Sequence, residues 1–164
     1  MSDLTHFDDS GASRMVDVGS KPISARVARA SGSIEMLPET LVAVRDCGVG
    51  KGNVLEVARL AGIMAAKRTG DLIPLCHPLG LDAVEISFSF VGDRTIQIEA
   101  TTRISGRTGV EMEAMVAVST AALTIYDMCK AVDRGMVVRE IQLEEKSGGK
   151  SGRYVRATCK DSEA

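Results

Sequence analysis

Apolar and polar positions alternate from Ser24 to Met36, where Ala25, Val27, Ala30, Ile34 and Met36 stand against Arg26, Arg29 and Glu35. This pattern predicts a strand, bent or bulged around Ser31-Gly32-Ser33. Pro38 then opens a short helix to Asp46, at the end of a helix where proline is tolerated. Asn53 caps a second helix reaching Thr69, with Glu56 at the box position and Val57, Leu60, Ala61 and Met64 as its expected buried stripe. Two alternating runs, Val84–Val91 and Thr95–Thr101, flank the turn Gly92-Asp93-Arg94 and predict a hairpin. A long helical pattern fills Gly106 to Arg134, with Thr108 and Glu111 spaced as a capping box. Met136 to Glu144 is the last expected strand. Strand, two helices, hairpin, helix, strand: this order predicts an α+β, ferredoxin-like βαββαβ sandwich with the helices on one face of an antiparallel sheet.

The long helix carries two stripes. Met115, Val118, Ala122, Ile125 and Cys129 recur at core spacing. Glu113, Ala117, Thr120, Thr124 and Asp127, with Lys130 a turn further, form a second stripe, small between charged ends. A solvated face explains those charges as readily as a site does. Yet Glu113 and Asp127 are fourteen residues apart, roughly 21 Å along the axis, too far for one small molecule to touch both. If both act, they serve different sites or one site built from two copies of the chain.

Composition narrows the class. The 164 residues suit a single domain (residues 1–164), with stretches 1–14 and 147–164 expected to be flexible unless substrate or a neighbouring subunit orders them. Trp is absent, so the core must be aliphatic. The net charge of −2, from 20 cations and 22 anions, offers no general attraction to nucleic acid or anionic membrane. Cys47, Cys76, Cys129 and Cys159 show no paired spacing, which points to reduced thiols in a cytoplasmic protein. No apolar leader stands in Met1–Gly11 and no run suits a membrane span.

Three further stretches invite chemistry. Cys47-Gly48-Val49-Gly50-Lys51-Gly52 suggests a phosphate loop, but Arg45 and Gly52 stand where that motif needs Gly and Ser or Thr. What survives is Lys51 on a glycine loop just before a helix start, where an anion is favoured. In Asp71–Gly80, Pro74 and Pro78 bias Ile73 and His77 away from helix, towards extended backbone, and leave Cys76 and His77 mid-strip, its backbone groups available to a base or pterin edge. One adjacent Cys-His pair is weak as a metal site, and a structural histidine stands as the plain alternative. Lys146 to Arg153 closes with glycines and cations, a basic tail or a loop wrapping phosphates.

Taken with Met15–Val18, Lys51-Gly52, Ala65–Thr69, Leu72–Pro78, Thr108–Ala114, Ala121–Ala131 and Lys146–Gly152, the chain resembles the cyclic pyranopterin monophosphate synthase family over about residues 4–153. The resemblance implies a cytoplasmic lyase of molybdenum cofactor biosynthesis. Its substrate would be 3′,8-cyclo-7,8-dihydro-GTP from a radical GTP cyclase, and its products cyclic pyranopterin monophosphate and diphosphate. It also implies a homohexamer, a trimer of dimers with sites at subunit interfaces, and neither nucleic-acid nor membrane partners. By the same resemblance Asp127, Lys51 and Lys130 are catalytic. Leu75, Cys76, His77, Met112 and Glu113 bind substrate with Glu111 beside them, and Arg26, Lys67 and Lys146 surround its phosphates. No metal site and no obligatory cofactor are implied; magnesium accompanying the triphosphate is left open. Lysines close together or partly desolvated are expected to have lowered pKa values, and Asp127 to hold Lys130 one turn away. The competing class is a non-catalytic, ferredoxin-like RNA-binding module, which needs aromatic platforms on the sheet; only Phe88 and Phe90 are available.

Overall fold

The computed structural model describes residues 6–8, 10–46 and 52–157; Cys47, Lys51 and Cys159 lie outside the described residues. Its elements are β1 (Ser24–Glu35), α1 (Pro38–Arg45), α2 (Val54–Ala66), α3 (Thr69–Leu72), β2 (Ala83–Val91), β3 (Thr95–Gly106), α4 (Glu111–Cys129), β4 (Val137–Ser147) and β5 (Tyr154–Val155). The sheet runs β2-β3-β1-β4-β5, and all pairings are antiparallel. Its first four strands have the ferredoxin-like order that the sequence predicted. The fifth strand, pairing Glu145 with Val155 and Lys146 with Tyr154, was not anticipated, because two residues carry no period.

The irregularity expected around Ser31-Gly32-Ser33 is present, on the side of β1 that faces β4. β1 pairs with β3 in unbroken register from Ser24↔Gly106 to Glu35↔Thr95. The irregularities lie between β1 and β4, where β4 carries the extra residues and Glu140 adopts φ 54°. Gly32 serves a different purpose: a Cβ there would stand 2.7 Å from Val118 Cγ1, so its absence lets α4 settle on the sheet.

The same closeness governs the helices. A Cβ on Gly62 would meet Ala117 O at 2.8 Å and Ile86 Cδ1 at 2.5 Å. α2 therefore turns its small residues, Ala58, Gly62 and Ala66, inward. This reverses the expected stripe: Val57, Leu60 and Met64 are 44%, 60% and 47% exposed. Hydrophobicity alone selects the larger side chains; the short interhelical distance selects the smaller ones. In α4 the expected stripe holds, with Val118, Ala122, Ile125 and Cys129 buried and Met115 packed against the core. Ala117, from the second stripe, is buried as well because α2 lies against it. α4 is long and apolar enough for a membrane span, but most of that length is buried here, as in a core helix.

Candidate functional site

α4 starts later than its sequence pattern suggests. Its N-cap is Val110, which makes no side-chain cap bond, and Thr108 remains outside the helix. The Val110 carbonyl accepts from the Thr102 hydroxyl at 2.9 Å, which anchors the helix start to β3. Glu111, Met112 and Glu113 thus form the first turn of α4 and face a cavity of about 280 Å³.

The opposite wall is the proline-bracketed strip. The Cys76 N–H donates to Ile73 O at 3.0 Å, closing a turn with Pro74 at its second position, a favoured place for proline. Gly70 lets the strip fold back closely: a Cβ there would lie 3.2 Å from Pro78 N and Cα. Leu75, Cys76, His77 and Leu79 then line the cavity. His77 also lines an adjoining groove with Pro78, Gly106 and Arg107, so it stands where the two spaces meet. The third wall comes from the N-terminal segment, through His6, Val16, Val18 and Lys21.

Electrostatics distinguish the residues of this cavity. Glu113 is only 3% exposed, and burial pushes its pKa up to about 7, with the Glu111 carboxylate adding to the rise. Burial also raises the Cys76 thiol, with help from Glu113, so the group faces the cavity as a thiol rather than a thiolate. Lys146 Nζ lies 3.7 Å from Glu111 and touches the Ser151 hydroxyl. Arg26 donates to Gly106 O at 2.9 Å and Arg107 O at 3.0 Å, holding the wall of the adjoining groove. Beside it Gly148 and Gly149 take φ values of +93° and +74°, and a Cβ on Gly148 would collide with Ala25 O.

Other expected residues lie elsewhere. Asp127 and Lys130 pair at 2.6 Å near the far end of α4, with side chains 66% and 54% exposed. That contact raises the Lys130 pKa, the opposite of the lowering expected for a poised lysine, because the adjacent carboxylate stabilises its charge. Lys67 is exposed at the C-cap of α2 and does not line the cavity. Lys51 lies outside the described residues. One protomer therefore brings together Leu75, Cys76, His77, Glu111, Met112, Glu113 and, through Glu111, Lys146. It does not bring Asp127, Lys130 or Lys67 to them. Sequence reasoning did not single out His6, Lys21, Leu79 or Thr108 as cavity residues. Leu79 and Thr108 stand in stretches flagged for other reasons, the proline strip and the helix start, and Met15–Val18 stood out as a short apolar exception in an aperiodic stretch. Among the described residues no cluster of three or more His, Cys, Asp or Glu could hold a metal.

Fold and site together define a ferredoxin-like α+β protein with a cavity between a helix start and a proline-held strip, flanked by cations. The MoaC family model matches residues 15–149, and the chain belongs to the MoaC family. It is 61% identical over 154 residues to cyclic pyranopterin monophosphate synthase 1 of Mycobacterium bovis, covering 94% of this chain and 91% of the relative. Cyclic pyranopterin monophosphate synthase of Novosphingobium aromaticivorans is 60% identical, with coverage of 96% and 99%. That of Desulfitobacterium hafniense is 54% identical, with coverage of 94% on both sides.

Proposed function

We propose that this protein is a cyclic pyranopterin monophosphate synthase, a phosphorus–oxygen lyase. In this reading it converts 3′,8-cyclo-7,8-dihydro-GTP to cyclic pyranopterin monophosphate and releases diphosphate, an early step of molybdenum cofactor biosynthesis. The observation carrying this reading is the meeting of Leu75–His77 and Glu111–Glu113 around one cavity, with Lys146 beside Glu111, in a chain so similar to enzymes of that name.

The residue types suit the chemistry. Opening and reclosing a purine-derived ring requires groups that exchange protons near neutral pH. Glu113, with a pKa of about 7, can donate a hydrogen bond when protonated or accept one when ionised. Closing the cyclic phosphate requires cations on the developing charge and an aligned hydroxyl. Lys146, Arg26 and Lys67 are assigned to the phosphates, and Lys51, Asp127 and Lys130 to catalysis. Because Glu113 and Asp127 stand near opposite ends of α4, the complete site takes residues from two subunits of a cytoplasmic homohexamer. The exposed Val57, Leu60, Met64 and Leu123 suit such subunit contacts. No resident metal is assigned.

The RNA-binding alternative lacks its platform. Phe88 and Phe90 pack against the core beneath Arg59 and Arg45, whose guanidinium carbons lie 5.2 and 4.8 Å from the ring centroids. The deciding experiment supplies cyclised dihydro-GTP to the purified protein and measures diphosphate and a pterin product together. Formation of neither by a folded oligomer refutes the assignment.

A further inference from the structure

Asp133 is a buried charged residue outside the cavity, only 4% exposed. A carboxylate taken from water needs compensating hydrogen bonds. Asp133 has two: Oδ2 accepts from the Leu37 N–H at 2.8 Å and Oδ1 from the Gly135 N–H at 2.9 Å. The first joins residues 96 apart in sequence, linking the start of α1 to the exit of α4. The Asp133 N–H itself donates to Cys129 O at 3.1 Å, so the residue also closes the last turn of α4.

That turn carries Asp127 and Lys130, whose side chains are largely exposed. Burial therefore does little to fix them, and the backbone of 127–135 that carries them bears directly on where they stand. An unanchored helix end frays readily. Here the Tyr126 hydroxyl holds Arg134 O at 3.2 Å, and Asp133 ties the same turn to α1.

We propose that Asp133 is a positioning residue for the Asp127–Lys130 pair, its carboxylate tethering the exit of α4 to the start of α1. This rests on the assignment of Asp127 and Lys130 to catalysis. The competing account makes Asp133 only a cap for α1, whose N-cap residue Leu37 makes no side-chain cap bond. A local side chain could meet that need, as Asn53 does for α2. The structure instead uses a group from the α4 exit.

Two variants of the full chain test the tether from opposite ends. Asp133→Asn keeps the shape but turns an amide N–H₂ towards one of the two N–H donors. Leu37→Pro deletes the donor alone, since Leu37 already has φ −65° and ψ 147°, a conformation proline adopts. The readouts are kcat and KM with cyclised dihydro-GTP, the melting temperature, and the titration midpoint of Lys130. That midpoint is followed by NMR of its ε-methylene and assigned with Lys130→Arg. Either variant is expected to lower kcat by about tenfold or more with KM within about twofold, the signature of a misplaced group. The Lys130 midpoint should fall back towards that of an ordinary lysine as its contact with Asp127 loosens. The double variant should be little worse than either single one, because both cut the same tie. A lowered melting temperature with unchanged kcat and Lys130 midpoint reduces Asp133 to a cap and overturns the proposal. If Asp133→Asn fails to fold, Leu37→Pro gives the same decision. If the wild type shows no turnover, the functional assignment fails, while the substrate-free Lys130 titration still decides whether the tether positions the pair.

Discussion

Replacing Glu113 by Gln tests whether this carboxyl is held in a desolvated wall. Its pKa rises from an ordinary 4.5 to about 7 in the folded protein. A carboxyl with a raised folded-state pKa favours folding while it is protonated. That contribution is complete below pH 4.5 and is lost as the pH climbs through 7. The shift corresponds to about 3 kcal/mol at 1.36 kcal/mol per unit, and screening by the solvent that enters the cavity reduces it to about 2 kcal/mol. Gln has nearly the shape of the protonated acid and does not ionise. Glu113→Gln should therefore match the wild type at pH 4.5 and be more stable by about 2 kcal/mol at pH 8, equivalent to roughly 4–8 °C in melting temperature for a domain of this size. The assay is denaturant unfolding of both proteins at several pH values. Taking the difference between them cancels the other titrating groups. Parallel stability curves across this range, with no gain for the Gln variant at pH 8, would refute a desolvated Glu113.

Gly62→Ala should destabilise the fold by about 1–3 kcal/mol in chemical denaturation, since its methyl meets the Ala117 carbonyl, which cannot move aside cheaply. A stabilised variant, as expected of Gly→Ala in an open helix, would contradict the close α2–α4 contact. His77→Ala should weaken substrate binding about tenfold in calorimetry while leaving melting nearly unchanged, because Pro74, Pro78 and Gly70 shape the strip. A collapse in melting with normal affinity would mark the histidine as structural. Glu113→Ala and Asp127→Ala proteins, each inactive, should recover part of the turnover when dissociated and remixed, since one mixed interface then holds both intact residues. Activity no higher than in self-remixed controls, with heteromers demonstrated, would place both groups in one chain's site.

Periodicity was enough for the order of β1–β4 and the three longer helices, though not for the short α3 and β5, because each longer element must bury one face and alternation or a three-to-four spacing records which. It was also enough for the buried stripe of α4, whose large apolar residues meet the sheet. It failed for α2, where the sequence points to Val57, Leu60 and Met64 but the closeness of α4 selects Ala58, Gly62 and Ala66. That distance belongs to the pair of helices and is written in neither alone. The motifs named Leu75–His77 and Glu111–Glu113 as chemistry-bearing, yet only the fold sets strip against helix and buries Glu113 beside the partly exposed Glu111. His6 and Lys21 stand in an aperiodic stretch, and their place in the cavity wall follows from where the chain passes rather than from any local pattern. Lys130 is the sharpest case: its spacing from Asp127 was visible in the sequence, but the sign of its pKa shift was not. Exposure leaves little desolvation to oppose the carboxylate, so the charge is stabilised. Residue types and spacings are local and legible in the chain; burial, and with it the protonation chemistry of Glu113 and Lys130, is a property of what the rest of the fold places around them.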